Sequence, residues 1–172
     1  MIVGLCGYSK VGKDTLAAQM QEYERAAFAD ALKEEVTLML KGLGIEADLW
    51  GADKEEWRDL LVFWGRKRRE QDHDYWIKQM FMRHAPLADK RLIITDVRYR
   101  NELEWIKRQG GVTIGLNRPG YRANNAEEDF SIQAIRISCP ETTWLNNDST
   151  PEALEKLFRA VVKQHIFKPV DK

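Results

Sequence analysis

The stretch that most constrains this chain is Gly7-Tyr8-Ser9-Lys10-Val11-Gly12-Lys13-Asp14-Thr15, directly after the apolar run Met1-Ile2-Val3-Gly4-Leu5-Cys6. Its spacing is G-x-x-x-x-G-K, with Asp14 where Ser or Thr usually follows the lysine and Thr15 next. Gly7 and Gly12 allow turn geometry that side chains block, so the backbone N–H groups from Lys10 and Val11 onward can converge on phosphate oxygens. Lys13 adds a mobile positive charge at the start of a helix whose dipole also favours an anion. A buried strand, a glycine loop and an amphipathic helix in that order predict a nucleotide phosphate site.

Composition narrows the remaining classes. The chain has 172 residues, which suits one domain with a sizeable core, residues 1–172. Its 27 basic and 27 acidic residues balance, so nothing argues for a nucleic-acid polymer or a membrane surface as partner. The two cysteines, Cys6 and Cys139, have neither disulfide-framework nor metal-site spacing. The apolar start is too short for a signal peptide and no apolar run approaches ~18 residues, which predicts a soluble cytoplasmic protein.

Taken in order, Ile2 to Cys6 reads as a buried strand and Lys13 to Tyr23 as the helix carrying the loop's Lys and Thr. Arg25 to Ala29 reads as a short strand, with Asp30 as N-cap of a helix to Lys41. Residues 47–87 read as a helical section rich in aromatics and arginine, with Trp57, Leu60, Leu61 and Trp64 at helical spacing. Within it, a helix from Asp74 to His84 would bury Ile77, Met80, Phe81 and His84. Arg91 to Thr95 reads as a strand ending at Asp96, then a helix from Asn101 to Gln109 and a strand from Val112 to Leu116. Asn117 to Asp129 has no apolar periodicity and reads as a mobile loop; Ser131 to Cys139 fits helix or strand. Thr142 to Leu145 reads as the last strand, and Thr150-Pro151 opens a final helix with Leu154, Leu157, Phe158 and Val161 inward. Strands alternating with helices predict an α/β, doubly wound parallel sheet with ligands at the strands' carboxyl ends.

Phosphoryl transfer needs positioned charge more than covalent help. Lys13 would bridge donor phosphates, Thr15 could place its hydroxyl on Mg²⁺, and Asp96 could hold that ion directly or through water. Asp14 either complements the helix dipole, worth ~0.3–1 kcal/mol, or faces the acceptor or the metal's waters. Arg66, Arg98, Arg118 and Arg122 lie off the apolar stripes, and several arginines on two polyphosphates suit a transition state that spreads charge. Arg118 and Arg122 flank Pro-Gly-Tyr and suit a lid that excludes water.

The Gly-Lys-Asp-Thr ending of the loop resembles that of deoxynucleoside monophosphate kinases of tailed phages and their bacterial relatives. The same order holds for Phe28-Ala29-Asp30-Ala31-Leu32-Lys33, Gly65-Arg66 with Asp74-Tyr75-Trp76, Asp96-Val97-Arg98 with Asn101-Glu102, Arg118-Pro119-Gly120, and Asn147-Asp148. The resemblance implies a three-layer P-loop fold of the nucleoside monophosphate kinase type, with a helical acceptor-binding section at about 47–87 and a lid at about 117–131. It implies transfer of the ATP γ-phosphoryl group to a dNMP with Mg²⁺, in the host cytoplasm if the gene is a phage's. By motif, Lys13, Asp14, Arg98, Arg118 and Arg122 would carry catalysis. Gly7, Lys10, Val11, Gly12, Lys13, Asp14, Thr15 and Asn147 would bind ATP, Asn147 and Asp148 lying near its base. Asp30, Lys33, Trp64, Arg66, Asp74, Trp76, Arg98, Asn101 and Glu102 would bind the acceptor, with Thr15 and Asp96 on the metal. The family's lid often carries His-x-Ser-Glu, where this chain has Ala126-Glu127-Glu128-Asp129-Phe130-Ser131. A homodimer is left open by the sequence.

Two other readings compete. A phosphate-loop kinase could act on another small phosphate, such as phosphomevalonate or a dephospho-coenzyme precursor, although the aromatics from Trp57 to Trp76 suit a planar base. An ATP-binding regulatory module would transfer nothing, and would not need so many cations.

Overall fold

The computed structural model describes residues 1–84 and 90–166, so Leu87, the expected end of the helical section, and the last residues of the expected domain lie outside the described residues. The chain forms two compact units, one of residues 1–25 and 90–166 and the other of residues 26–84.

The first unit is built on a five-stranded sheet. In chain order its strands are β1 (Ile2–Cys6), β2 (Tyr23–Ala26), β3 (Arg91–Val97), β4 (Val112–Asn117) and β5 (Thr143–Asn146), arranged β2-β3-β1-β4-β5. β1 pairs parallel with β3 and β4, and β4 parallel with β5. Central strands covered on both faces explain the near-continuous apolar runs of β1 and β3. Helix α1 (Lys13–Gln19) follows the glycine loop, α5 (Arg100–Arg108) follows β3, α6 (Ala126–Ser138) precedes β5, and α7 (Pro151–Ile166) closes the described chain. Val3, Leu5, Ile93 and Ile114 pack with Leu16 of α1, Met20 just after it, and Leu154 and Phe158 of α7 in one core. On the other face a Cβ at Gly4 would meet the Ile106 side chain of α5 at 2.5 Å, so glycine lets that helix sit close against the strand and a larger residue would have to displace Ile106. These are the three layers expected of a phosphate-loop α/β fold.

The second unit is helical: α2 (Phe28–Gly42), a 3-10 turn at Ala52–Lys54, α3 (Arg58–Gln71) and α4 (Tyr75–His84). Val36, Leu40, Leu49 and Leu61 form its centre, with Leu32, Trp57, Leu60 and Trp64 packed around them.

Several expectations are corrected. The segment from Ser131, open between helix and strand in the sequence, is helical as far as Ser138; the expected loop Asn117–Asp129 ends four residues early because Asn125 caps α6, its Oδ1 accepting the Glu128 N–H at 2.8 Å. Glu127, Glu128 and Asp129 in the first turn suit that helix end. Asp30 lies in the first turn of α2 rather than at its cap, because Phe28 is buried and helical. The second strand runs Tyr23–Ala26 rather than Arg25–Ala29, and α1 stops at Gln19, where the Met20 N–H closes a tight turn onto the Ala17 carbonyl. Asp96 stands inside β3, which continues to Val97. Phe81 and Leu157 face solvent, each about half exposed, because the inner stripes run through Trp76, Ile77 and Met80, and through Leu154, Phe158 and Val162.

Candidate active site

The glycine loop leaves the carboxyl end of β1 in a conformation that few residues other than glycine adopt. Gly7 has φ +134° and Gly12 φ +103°, and a Cβ at Gly7 would meet the Leu116 carbonyl oxygen at 2.4 Å. Val11 is buried beneath the loop, and its carbonyl accepts the Asn147 Nδ2 amide at 2.9 Å. The Asn147 N–H in turn donates to the Asn117 carbonyl at 2.7 Å. Asn147, expected near the donor base, therefore braces the loop against the ends of β4 and β5. Lys10 is the one described non-glycine residue with positive φ, at 65°.

Lys13 folds back over the loop, its Nζ donating to the Gly7 and Tyr8 carbonyls at 2.8 and 2.7 Å. Burial lowers its proton affinity and the Arg98 guanidinium lowers it further, while Asp14 and Glu128 act the other way. Arg98 therefore lies within electrostatic reach of Lys13. Arg98 is carried on the turn between β3 and α5. Buried Glu102 fixes that turn, its Oε2 accepting the Arg98 and Tyr99 N–H groups at 2.7 and 3.0 Å. Glu102 was expected on the acceptor, and its carboxylate is instead engaged with backbone that positions Arg98. Asn101 lies in the first turn of the helix that follows.

Asp14 lies in the first turn of α1 with its side chain 75% exposed and its Oδ1 3.5 Å from Arg25 Nε. Thr15 is exposed one residue later, and Asp96 is half-buried near the carboxyl end of β3. Between Gly4–Ile94 and Cys6–Val97 the register shifts, so β3 carries one extra residue beside β1 and Asp96 stands at that bulge. A hydroxyl and a carboxylate are hard oxygen donors, the chemistry Mg²⁺ takes when phosphates and water complete its shell. No group of three or more His, Cys, Asp or Glu among the described residues could hold a metal by itself.

The strap between β4 and α6 carries the two expected lid arginines. A turn closes from the Tyr121 N–H to the Arg118 carbonyl at 3.1 Å, and the Arg118 guanidinium lies 4.8 Å from the Tyr121 ring centre. Arg122 lines an open cavity of about 410 Å³ with Tyr8, Ala123, Asn125, Ala126 and Asp129. The Tyr8 hydroxyl donates to Asp129 at 2.5 Å and accepts from Gln133 Nε2 at 2.9 Å; the carboxylate beside it raises the phenol's proton affinity, so Tyr8 stays neutral.

In the helical unit the expected acceptor residues fall into three places. Asp30 Oδ1 accepts the Trp50 indole N–H at 3.2 Å, and Lys33 Nζ stands 5.5 Å above the same ring. Trp64 donates its indole N–H to Glu35, which also accepts the Tyr75 hydroxyl and pairs with Arg68, whose guanidinium stacks 4.9 Å from each ring. Arg66 is exposed beside Glu70 and Asp74 is half-buried before α4, whereas Trp76 is 2% exposed and bonded through its indole N–H to the Gly65 carbonyl. Trp76 thus packs α4 onto α3.

Sequence reasoning passed over Glu128, Ser9 and Tyr8. Glu128 is a carboxylate only 4% exposed that accepts the Ser9 N–H of the loop at 2.9 Å and the Asn124 N–H at 2.8 Å. The one signal available was the Asn125-x-x-Glu128 capping spacing ahead of the apolar pair Ile132 and Ile135.

Comparison with known proteins agrees on the fold. The family model described as phosphomevalonate kinase matches residues 5–111. A protein of Acanthamoeba polyphaga mimivirus, provisionally described as a deoxynucleotide monophosphate kinase, is 22% identical over 94% of this chain and 96% of its own. The dephospho-CoA kinase from Campylobacter jejuni superposes with a TM-score of 0.53 at 11% identity, over 95% of this chain and 96% of that one.

Proposed function

The chain belongs to the phosphomevalonate kinase family, and we propose that within this P-loop kinase group it phosphorylates a deoxynucleoside monophosphate, taking the γ-phosphoryl group of ATP. The observation that carries the phosphotransferase reading is the glycine loop, held by positive φ at Gly7 and Gly12 with Lys13 folded over its carbonyls, where burial and the Arg98 guanidinium lower the proton affinity of Lys13 and an anion would raise it again. The dNMP acceptor is supported by the mimivirus relative, whose likeness runs the length of this chain rather than the loop alone.

In this reading the loop's N–H groups and Lys13 hold the donor phosphates, and Arg98 neutralises the transferred group as its charge spreads. Thr15 and Asp96 would hold Mg²⁺, which supplies further charge neutralisation at the phosphates. Arg118 and Arg122 draw the strap over the phosphates and keep water from the γ-phosphoryl group. Asp30, Lys33, Trp64, Arg66, Asp74 and Trp76 belong to the helical unit, to which the reading assigns recognition of the acceptor, while Glu102 holds and Asn101 adjoins the turn that carries Arg98. Asp30, Lys33 and Trp64 act through the exposed edges of their clusters, and Trp76 through the packing of α4.

The second reading is a kinase of phosphomevalonate, favoured by the family match. A coupled assay of ADP formation from ATP and Mg²⁺ separates them, run with dNMPs, NMPs, phosphomevalonate and dephospho-CoA. Stimulation by a dNMP supports the proposal. Stimulation by phosphomevalonate alone replaces it with the second reading, and no stimulation by any acceptor leaves an ATP-binding module.

A further inference from the structure

The polar group least explained by this chemistry is Glu128. A carboxylate that gives up its water must be repaid by partners of fitting geometry. In an ordinary capping box the acidic residue at the third helical position returns to the N–H of its own cap residue. Glu128 does otherwise. Asn125 already caps α6, and Glu128 reaches past it, Oε2 to the Asn124 N–H and Oε1 to the Ser9 N–H in the glycine loop. The same Oε1 lies 3.7 Å from Arg98 Nη2. One side chain thus joins the loop, the arginine after β3 and the carboxyl end of the strap that carries Arg122.

We propose that Glu128 is a positioning residue for phosphoryl transfer, which sets Arg98 and the strap in fixed register with the phosphate loop. The proposal rests on the phosphotransferase reading but not on which acceptor is used. The carboxylate suits the task because it accepts only. Both oxygens take a backbone N–H while the net charge holds the guanidinium, and an amide in its place would turn an NH₂ group toward one of those two donors. Its neighbour Glu127 is exposed, with a long contact of 3.3 Å from the Tyr99 hydroxyl, and makes no bond to the loop.

The test compares Glu128→Gln, Glu128→Asp, Arg98→Gln and the Glu128→Gln/Arg98→Gln pair, with Glu127→Gln as control, using the acceptor that gives turnover with the parent enzyme. Glu128→Gln should lower kcat tenfold or more while the KM for ATP moves less than threefold, and Glu127→Gln should stay within twofold of the parent. The pair should be no worse than its poorer member by more than about threefold, because both act through one guanidinium. Glu128→Asp keeps the charge but is one methylene short of spanning both N–H groups, so it should fall between parent and Gln; it serves also if Gln does not fold. A folded Gln or Asp variant with kcat within twofold of the parent overturns the proposal, as does a pair whose losses multiply in full. Hydrogen exchange gives an arm independent of turnover: the Ser9 and Asn124 amides should exchange at least tenfold faster in Glu128→Gln. If the parent turns over no acceptor, the kinase reading falls, and unchanged exchange at those two amides then overturns the register as well.

Discussion

Replacing Gly12 by alanine measures how the loop is held open for phosphate. The structure places two separate costs at this position. The backbone stands at φ +103°, where a Cβ crowds its own chain, at about 1–2 kcal/mol for an ordinary residue in the left-handed region. The new Cβ would also come within 2.5 Å of Asn147 Nδ2, the atom that donates to the Val11 carbonyl. Pushing that amide aside forfeits a bond worth about 1 kcal/mol. The sum is about 2–3 kcal/mol, and a chain of this length shifts by about 2–4 °C per kcal/mol, so Tm should fall by roughly 5–10 °C. The assay is thermal and urea unfolding of Gly12→Ala, Asn147→Ala and the double variant. Once Asn147 is alanine, no amide remains to displace, and Gly12→Ala should cost about 1 kcal/mol less than in the parent. A Tm shift below 2 °C for Gly12→Ala refutes the backbone argument, and equal costs in the two backgrounds refute the contact with Asn147.

Three further outcomes follow from the same site. Lys13 is depressed by burial and by Arg98, so ATP phosphates should raise its proton affinity again: calorimetry across alkaline pH up to 10.5, in buffers of differing ionisation enthalpy, should show proton uptake on binding that grows with pH and is absent in Lys13→Met. Asp14→Asn should cut turnover more than tenfold with the fold intact, and near-normal turnover would reduce Asp14 to a partner of the helix dipole and Arg25. Burial pushes the Cys6 thiol up to about 12 from 9.0. Its protonated form is therefore favoured by folding, so this contribution to stability is whole below pH 9 and is lost as pH climbs from 9 towards 12; Cys6→Ser should flatten the alkaline fall in urea midpoint, and native Cys6 should resist iodoacetamide at pH 8.

What could be read from the sequence was what depends on local chemistry. The glycine loop, Lys13 and the apolar runs of β1 and β3 announce themselves because backbone geometry and burial on both faces restrict residue type over a few positions. The capping of α7 by Thr150 was legible for the same reason, its hydroxyl accepting the Ala153 N–H at 3.3 Å. Long-range partners were not legible. Glu128 is one of three successive acidic residues, and nothing in their order says that only the middle one turns inward to a loop more than a hundred residues earlier. Glu102 and Asn147, expected on ligands, bond backbone instead, because a carboxylate or amide next to an irregular turn finds unpaired N–H and C=O groups first. Trp76 was chosen as an aromatic in an aromatic stretch, and only packing decides which indole faces out.

Helix α6 is fastened at both ends, and this governs how the strap can move. Near its start Glu128 is tied to the loop; near its end the Arg136 guanidinium lies 3.6 Å from the Trp144 ring centre and donates to Asn117. Trp144 is seated in turn on Gly115, where no side chain could stand. Asn117, the residue from which the strap departs, is therefore held by the helix to which the strap returns. Opening cannot ride on a sliding helix. It must take place within residues 118–124, as flexing of a short segment between fixed posts, on the ns–μs scale of loops rather than the slower scale of rigid-body displacement. In the proposed kinase, exit of product past Arg122 is then a local event, and its rate should answer to changes at Pro119 and Gly120 more than to anything that alters the packing of α6.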